Sequence, residues 1–487
     1  MTERLLLREA RLLGVDAPFD VLVERGAITR IDPVGQASAD ELVGDGEVVV
    51  LDGRWVIPGL WDEHVHVAQW ALASRRLDVS AASSAGETAQ IVRASAAAGG
   101  GALIIGYGFR DGLWPDLPTT RLLDDSAPGT PVVLVSGDLH CIWLNTLAAE
   151  RFGAAIDGSG LLRENAAFAV TRMLDDLPVD LVDQWVNEAG GAAAARGVTG
   201  IVDLEMDWNA TSWARRRASG FDTQRIEFGV YPQHLERAVA DRLSTGTRID
   251  ELVSVGRLKV LIDGSLNTRT AFCLDPYPGS NDTGMLTIPT DRLDQLIHDG
   301  AAAGFEPAIH AIGDRAVGIA LDAFERAGIR GRMEHAQLIS DADLARFAEL
   351  GVVASVQPAH LLDDRDVAEH HWEGRTQRAF PLRGLLDSGA TVVLGSDAPV
   401  SPLDPWVTIA AAVHRTGDER ESWHAEQRIT TAEAIAASTR AGAAPTVGSP
   451  ADLAILDADP LTATREGLSA MPVSATLLGG GFTHRAI

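Results

Sequence analysis

The sequence predicts an α/β protein built around an eight-stranded barrel, and three observations carry this prediction. Apolar strand-like runs alternate with alanine-rich helical stretches through the middle of the chain, which is typical of repeated βα units and a parallel sheet. There are eight such runs, the number that a closed (β/α)₈ TIM barrel requires. Short strand-like runs with Gly or Asp breaks lie at both ends of the chain.

The first and second of the predicted barrel strands are far apart in the sequence. In chain order the predicted barrel strands are residues 55–66, 198–204, 225–231, 258–262, 307–310, 332–335, 352–356 and 391–395. Two further strand-like runs, 102–107 and 131–136, fall between the first two barrel strands. We interpret residues 70–185, with approximate bounds, as an inserted α/β lobe over the C-terminal face of the barrel. The alternative is that one of these two runs is itself a barrel strand.

The strand-like runs at the two ends predict one small β-sandwich domain. Residues 21–28 and 47–51 resemble a meander, and residues 451–456 and 473–478 repeat that pattern near the C-terminus. We therefore predict a β-sandwich domain from residues 1–56 plus 443–487 and a barrel domain from residues 57–442, which includes the lobe.

Composition excludes several classes of function. The chain has 487 residues, 46% of them hydrophobic, which is ample for a folded core. A net charge of −27 argues against nucleic acid, whose phosphates need a basic face, and against anionic membranes. Cys141 and Cys273 are the only cysteines, too few for a disulfide framework or a cysteine-rich zinc site. With no signal-like start and no long apolar run, a cytoplasmic location is the expectation.

A His-x-His pair marks the end of the first predicted barrel strand, in Asp62-Glu63-His64-Val65-His66. Residues two apart in a strand point the same way, so His64 and His66 can direct their imidazoles at one cation. Alone, this short motif is weakly specific.

Polar residues in or just after other barrel strands strengthen the prediction of a metal site. These residues are Lys259, His310, His335 and Asp397. A buried lysine or aspartate is costly unless it is paired or binds metal. Because all strand ends of a barrel converge on its C-terminal face, the four histidines, the lysine and the aspartate are expected to meet there.

With these residues in place, the sequence resembles the amidohydrolase superfamily. The motifs that carry the resemblance are residues 56–60 before Asp62, His64-Val65-His66, residues 197–203, His310, His335, Gly395-Ser396-Asp397 and residues 448–456. Further stretches are similar to amidohydrolase family 3, the branch that contains N-substituted formamide deformylases: residues 106–109, 117–119, 138–140 with Asn145, 259–265 and 310–314. The resemblance spans nearly the whole chain and is more specific to branch than to substrate.

The resemblance implies a binuclear metal centre. His64, His66 and Asp397 would hold one divalent metal ion and His310 and His335 the other, with Lys259 bridging them as a carbamate. Zinc suits imidazole and carboxylate ligands, although nickel, cobalt, manganese or iron would fit the same site. Two alternative interpretations stay open. In the first, Lys259 is an ion-paired structural lysine beside a single metal ion; in the second, Glu205 is the bridging carboxylate.

The resemblance also implies a mechanism and a set of substrate contacts. A metal-bridging hydroxide would attack a carbonyl, and Asp397 would act as general base and then general acid. The resemblance favours His140 as a catalytic, substrate-binding imidazole over a histidine satisfied by its local turn. From the residues alone, Arg269 is interpreted as a substrate-binding residue or as the partner of a loop acid, and Trp114 as a substrate-binding residue in an apolar pocket wall. His360, which follows the seventh strand, is placed equally well at the barrel mouth or at the surface.

The resulting functional prediction is hydrolysis of a C–N bond in an N-substituted amide or formamide. The alternatives are a single-metal deaminase of a small ring compound and an ester or carbamate hydrolase on the same scaffold. A non-catalytic binding barrel is disfavoured because every expected ligand position is filled. The expected partner is a small-molecule substrate, with no nucleic acid or membrane, and a homodimer is a family-level expectation.

Overall fold

The computed structural model describes residues 4–36, 43, 46–99, 103–174 and 177–487. The strands are β1 (Arg4–Leu12), β2 (Pro18–Glu24), β3 (Ala27–Pro33), β4 (Glu47–Val50), β5 (Trp55–Pro58), β6 (Leu60–Val65), β7 (Leu77–Asp78), β8 (Ile104–Phe109), β9 (Val132–Ser136), β10 (Cys141–Leu144), β11 (Leu161–Arg163), β12 (Val198–Asp203), β13 (Arg225–Val230), β14 (Val253–Leu261), β15 (Pro307–Ala311), β16 (Gly331–His335), β17 (Val352–Val356), β18 (Val392–Leu394), β19 (Leu453–Leu456), β20 (Val473–Leu478) and β21 (Gly481–Arg485).

The helices are α1 (Val67–Ala73), α2 (Ala85–Ala97), α3 (Thr120–Ser126), α4 (Thr146–Phe152), α5 (Asn165–Leu174), α6 (Val179–Ala194), α7 (Asn209–Ala218), α8 (Leu235–Ala240), α9 (Thr290–Ala302), α10 (Asp314–Ala327), α11 (Leu344–Leu350), α12 (His360–His371), α13 (Leu382–Asp387), α14 (Pro405–His414), α15 (Thr431–Ala437) and α16 (Arg465–Ser469). In the part of the chain described here, none of them has both the length and the apolar character to cross a membrane.

An eight-stranded parallel sheet forms the centre of the molecule and confirms the predicted barrel. Its strand order is β18-β17-β16-β15-β14-β13-β12-β6, so each barrel strand pairs with the next barrel strand, and the lobe strands β7 to β11 are inserted between β6 and β12. A parallel bridge between Val65 and Ala398 joins the end of β6 to the segment after β18 and nearly closes the barrel. The helices that follow the strands cover it with apolar faces: in α10, Val317, Leu321 and Phe324 recur at helical spacing and are buried.

Two barrel strands differ from the predicted bounds by more than one residue at an end, and both of these differences involve a glycine. The predicted strand 55–66 is divided at Gly59, where a Cβ would lie 2.2 Å from the Thr199 hydroxyl, so β5 leaves the barrel and pairs with β19. The fourth strand begins at Val253 rather than at residue 258, and Gly256, a residue that usually weakens a strand, lies within this added part. That glycine is packed so closely that a Cβ would lie 3.0 Å from the Phe228 carbonyl.

The inserted lobe is a separate mixed sheet with the strand order β11-β10-β9-β8-β7. The predicted runs 102–107 and 131–136 correspond to β8 and β9, although residue 102 lies outside the described residues. Both belong to the lobe, so the alternative that one of them is a barrel strand was wrong. The lobe has its own core around the fully buried Trp143.

Strands from both ends of the chain form one further sheet, as the sequence predicts. Its order is β21-β20-β19-β5-β1-β2-β3, with β4 paired to β1. The sheet is tied to the barrel by an ion pair in which Arg225 Nε of β13 lies 2.6 Å from Asp452 Oδ2. Because Arg225 is the first residue of β13, this contact lies at the N-terminal end of that strand, away from the C-terminal strand ends that the lobe covers.

Candidate metal centre

A cavity of about 500 Å³ lies between the C-terminal ends of the barrel strands and the lobe. The predicted site residues that line it are His64, His66, Lys259, His310, His335, Asp397, His140 and Trp114. The fold thus brings together side chains that are more than 300 residues apart in the chain.

The His-x-His pair and Asp397 form the first cluster. Asp397 Oδ1 lies 3.4 Å from His64 Nε2 and 3.3 Å from His66 Nε2. The donor atoms of the three residues all lie within 4.8 Å of one another, a spacing suited to one shared cation.

A second cluster shares Asp397 and includes a histidine whose position the sequence left open. Asp397 Oδ2 lies 4.0 Å from His335 Nδ1 and 3.7 Å from His360 Nε2. His310 is beside this cluster, with its ring centroid 4.5 Å from that of His335, but it does not belong to the set of donor atoms within 4.8 Å. The assignment of His310 to a second metal stays a prediction, and His360 emerges as a further candidate ligand.

Buried ring nitrogens without partners support the metal-site interpretation. Among the described residues, His335 Nδ1 and His360 Nε2, the nitrogens nearest to Asp397 Oδ2, are buried and make no hydrogen bond. Leaving a buried polar atom unsatisfied costs about 1–3 kcal/mol, so such atoms are usually bonded to something. The donor set of imidazoles and one carboxylate fits a divalent transition metal such as zinc.

The protonation states also fit metal binding. Burial, followed by the nearby Lys259 cation, lowers the pKa of His64 to about 4. Burial likewise holds the pKa values of His310 and His335 well below the usual histidine value. The imidazoles are therefore neutral at pH 7, the form in which histidine binds metals. Although burial alone would raise the pKa of Asp397, the imidazoles of His64, His66 and His335 hold it well below its usual range.

Lys259 lies at the centre of these groups. It is 2% exposed, and its Nζ is 3.4 Å from His64 Nε2. Burial lowers the pKa of its ammonium to about 8. Lys259 is also the only lysine in a sequence with 41 basic residues, a feature that lies outside the sequence motifs. Every other cationic position carries arginine.

Comparison with known proteins identifies the family. The model of the Amidohydrolase family matches residues 47–484. The chain belongs to this family. It is a metal-dependent amidohydrolase, acting on carbon–nitrogen bonds.

Individual relatives agree with this assignment. The chain is 30% identical over 452 residues to Protein LONG AFTER FAR-RED 3 of Arabidopsis thaliana, covering 84% of this chain and 78% of that protein. It is 25% identical over 494 residues to N-substituted formamide deformylase of Arthrobacter pascens, covering 90% and 89%. A crystal structure of an uncharacterized metal-dependent hydrolase from Pyrococcus horikoshii superposes with a TM-score of 0.80 at 24% identity, covering 95% and 99%, and shows the same fold.

Two buried aspartates position candidate metal ligands of this amidohydrolase. Asp62 accepts hydrogen bonds from the backbone N–H groups of His64 and Ser396, which joins the ends of β6 and β18. Asp263 accepts hydrogen bonds from the backbone N–H groups of Ile312 and Gly313, and its Oδ1 lies 3.4 Å from His310 Nε2. Burial raises the pKa of each carboxyl to about 7. The sequence contained both residues within family motifs but gave no sign of these contacts.

A buried ionic network supports His64 from the barrel interior. Glu334 Oε2 lies 2.7 Å from His64 Nδ1, and Glu334 Oε1 accepts a 2.6 Å hydrogen bond from Arg332 Nε. Arg332 also donates to Glu63, which in turn pairs with Arg440. The carboxylate of Glu334 fixes the tautomer of His64, so that Nε2 is free to bind a metal.

The remaining predicted residues differ in whether they line the cavity. Trp114 is partly buried in the cavity wall, and His140 lies in the same wall with its Nδ1 2.9 Å from Glu164 Oε2. Arg269 is exposed on a turn and does not line the described cavity, so its predicted substrate contact has no support in the geometry. Glu205, the rival bridging carboxylate, instead accepts hydrogen bonds from the backbone and side chain of Gln69.

Proposed function

We propose that this enzyme hydrolyses an N-substituted amide or formamide at a centre of two divalent metal ions bridged by carboxylated Lys259. The observation that carries the proposal is the placement of the only lysine of the chain, buried within the histidine and aspartate clusters. The similarity to an N-substituted formamide deformylase supports the class of substrate.

The choice of lysine over arginine at position 259 has a chemical reason. An arginine guanidinium stays protonated in proteins, whereas a buried lysine loses its proton readily and can then react with CO₂. The neutral amine and CO₂ give a carbamate and one released proton, and the two carbamate oxygens share a single negative charge that can bind cations which an ammonium would repel. A structural cation would not need lysine, because arginine serves at all the other cationic positions.

The residues present would divide the metals between two sets of ligands. His64, His66 and Asp397 would hold one ion, His310 and His335 together with His360 would surround the other, and Lys259 would contact both. Bound divalent ions such as zinc supply Lewis acidity, which lowers the pKa of water and polarises a carbonyl group.

Two side chains of the cavity then act on the substrate. Asp397, ionised at pH 7, accepts the proton of the attacking water and passes it to the departing amine nitrogen. Burial alone would lower the pKa of His140, but the Glu164 carboxylate raises it to about 9, so the protonated imidazole can donate a hydrogen bond to the substrate carbonyl oxygen. Trp114 and Phe168 offer apolar walls for the N-substituent.

The single lysine allows an unusually direct test. Protein labelled with ¹⁵N at the lysine side chain and purified with ¹³C-bicarbonate should give one carbamate ¹³C signal coupled to one lysine nitrogen. About two metals per chain are expected in wild type by plasma mass spectrometry. Lys259→Ala and Lys259→Arg should lose the carbamate signal and part of the metal, whereas Glu205→Gln should keep both.

Activity completes the test. A panel of N-substituted formamides and amides should release free amine with wild type, and Asp397→Asn should lower kcat by about 10²–10⁴-fold while the circular dichroism spectrum stays unchanged. One metal in wild type and in Lys259→Ala, without a carbamate signal, would contradict the binuclear proposal. Release of ammonia from a ring compound, but no amide turnover, would indicate the deaminase alternative.

A further inference from the structure

Glu164 of the lobe makes a set of contacts that the proposed function does not assign. Its Oε2 lies 2.9 Å from His140 Nδ1, and its Oε1 accepts hydroxyl hydrogen bonds from Thr270 at 2.8 Å and Thr268 at 3.3 Å. Both threonines lie on the segment that follows β14, the strand that carries Lys259. Glu164 thus joins the imidazole of the lobe to the barrel.

Further bonds make this junction rigid. The backbone N–H of Glu164 donates to the His140 carbonyl at 2.9 Å, and the His140 N–H donates to Asp138 Oδ1 at 3.1 Å. Asp138 Oδ2 in turn accepts a 2.8 Å bond from the Ser265 hydroxyl on the same barrel segment. The backbone of Glu164 has a φ of 49°, a strained conformation for a residue with a side chain. Such strain persists where surrounding contacts enforce it.

The contact determines how the His140 ring is used. An ionised carboxylate only accepts hydrogen bonds, so His140 Nδ1 must carry the proton in this pair. The imidazole is then fixed in orientation, with Nε2 as the nitrogen left for the cavity that His140 lines. Its ring centroid lies 6.2 Å from that of His310, close to the predicted metals. Glu164 itself is not among the described residues that line the cavity.

We infer that Glu164 is a positioning residue for catalysis: it holds His140 with Nε2 directed at the substrate and locks the lobe to the barrel segment after β14. The catalytic part of this inference rests on the proposed amide hydrolysis. Because Glu164 acts through His140, it contributes to kcat rather than to the binding of substrate or metal. The arrangement resembles a carboxylate that orients a catalytic histidine from behind.

A double-mutant cycle tests the inference. Glu164→Gln retains the size of the side chain, and its amide oxygen can still accept hydrogen bonds from the threonine hydroxyls. The carboxylate oxygen that faces His140 Nδ1 is replaced by an NH₂ group, which cannot accept a hydrogen bond from it. It should lower kcat by about 10–100-fold, with KM changed less than about twofold and metal content unchanged. In a His140→Asn background the same substitution should have no further effect on kcat. Glu150→Gln, an exposed lobe carboxylate on α4, is the matched control and should behave as wild type.

A spectroscopic readout keeps this test separate from that of the proposed function. Zinc-loaded protein labelled with ¹⁵N-histidine should show a downfield N–H proton resonance of His140 that disappears in Glu164→Gln and in His140→Asn but persists in Glu150→Gln. If wild type has no amide turnover, the proposed function fails and this resonance still decides the Glu164 contact. An unchanged resonance in Glu164→Gln, or losses in kcat that multiply in the double variant, would overturn the inference.

Discussion

Replacement of Glu334 by glutamine should weaken metal binding although Glu334 is not itself a predicted ligand. In wild type the carboxylate accepts a 2.7 Å hydrogen bond from His64 Nδ1, so the other ring nitrogen, Nε2, is unprotonated. His64 Nε2 lies 3.4 Å from Asp397 Oδ1. A glutamine would turn its amide oxygen to Arg332 and its NH₂ group to His64. The histidine would then accept at Nδ1 and carry its proton on Nε2, the nitrogen that should bind metal.

The expected losses of metal affinity and of folding stability follow from these contacts. Loss of an outer-shell partner typically lowers metal affinity 10–100-fold, about 1.4–2.7 kcal/mol. The metal-free protein should also lose stability, because breaking a buried ion pair costs about 3–5 kcal/mol. The lower end applies, since Arg332 keeps Glu63 as a partner at 2.7 Å and the amide oxygen can still accept from Arg332 Nε.

Competition between the protein and a chromogenic zinc chelator measures the affinity, and thermal unfolding of the metal-free protein measures the change in stability. The control is Glu188→Gln, which breaks the exposed pair with Arg75 and should change stability by less than about 1 kcal/mol. An affinity of Glu334→Gln within about twofold of wild type would refute the argument that this carboxylate sets the tautomer of His64.

Three further outcomes are expected. The His360→Asn variant should release metal at a lower chelator concentration than wild type, because His360 is a candidate ligand in the second cluster. Hydrogen bonding to Arg383 lowers the pKa of Glu433 to about 2, so the stabilisation it gives is present above its ordinary pKa of 4.5 and is lost as the pH falls towards 2. The difference in melting temperature between wild type and Glu433→Gln should therefore be present at pH 7 and shrink between pH 4.5 and 2. Gly59→Ala should cost about 1–3 kcal/mol through overpacking against β12, while Gly158→Ala, with open space around it, should not.

The sequence predicted the barrel well because two signals coincide along it. Its parallel strands are buried on both faces and have continuous apolar sequences, and the candidate metal ligands lie at or just after their ends. The His-x-His pair is local, so its geometry follows from strand periodicity alone. The bounds were less accurate at Gly59 and Gly256, where tight packing against a neighbouring strand decides the backbone path, and a neighbour cannot be seen in one stretch of sequence.

Contacts between distant segments account for what the sequence did not show. His360 is the first residue of α12, and only the fold reveals that its Nε2 is buried 3.7 Å from Asp397. Glu164 lies 24 residues from His140 and more than 100 from its threonine partners, with no motif around it. Arg269 stays a prediction: it is exposed on the turn that follows β14, and which group its side chain meets depends on contacts that one stretch of sequence does not show.

The charges in the barrel interior predict that metal binding and the stability of the fold are coupled. Lys259 and Arg332 are buried cations, and Glu63, Glu334 and Asp397 are buried anions, contributed by β6, β14, β16 and the end of β18. Each charge is compensated by groups on other strands, so an isolated substitution leaves a partner buried and uncompensated. Carboxylation of Lys259 would convert a cation into an anion and would leave this interior with excess negative charge unless divalent cations bind with it. Formation of the carbamate and binding of both metals should therefore be cooperative, and removal of the metals should favour loss of CO₂ from Lys259.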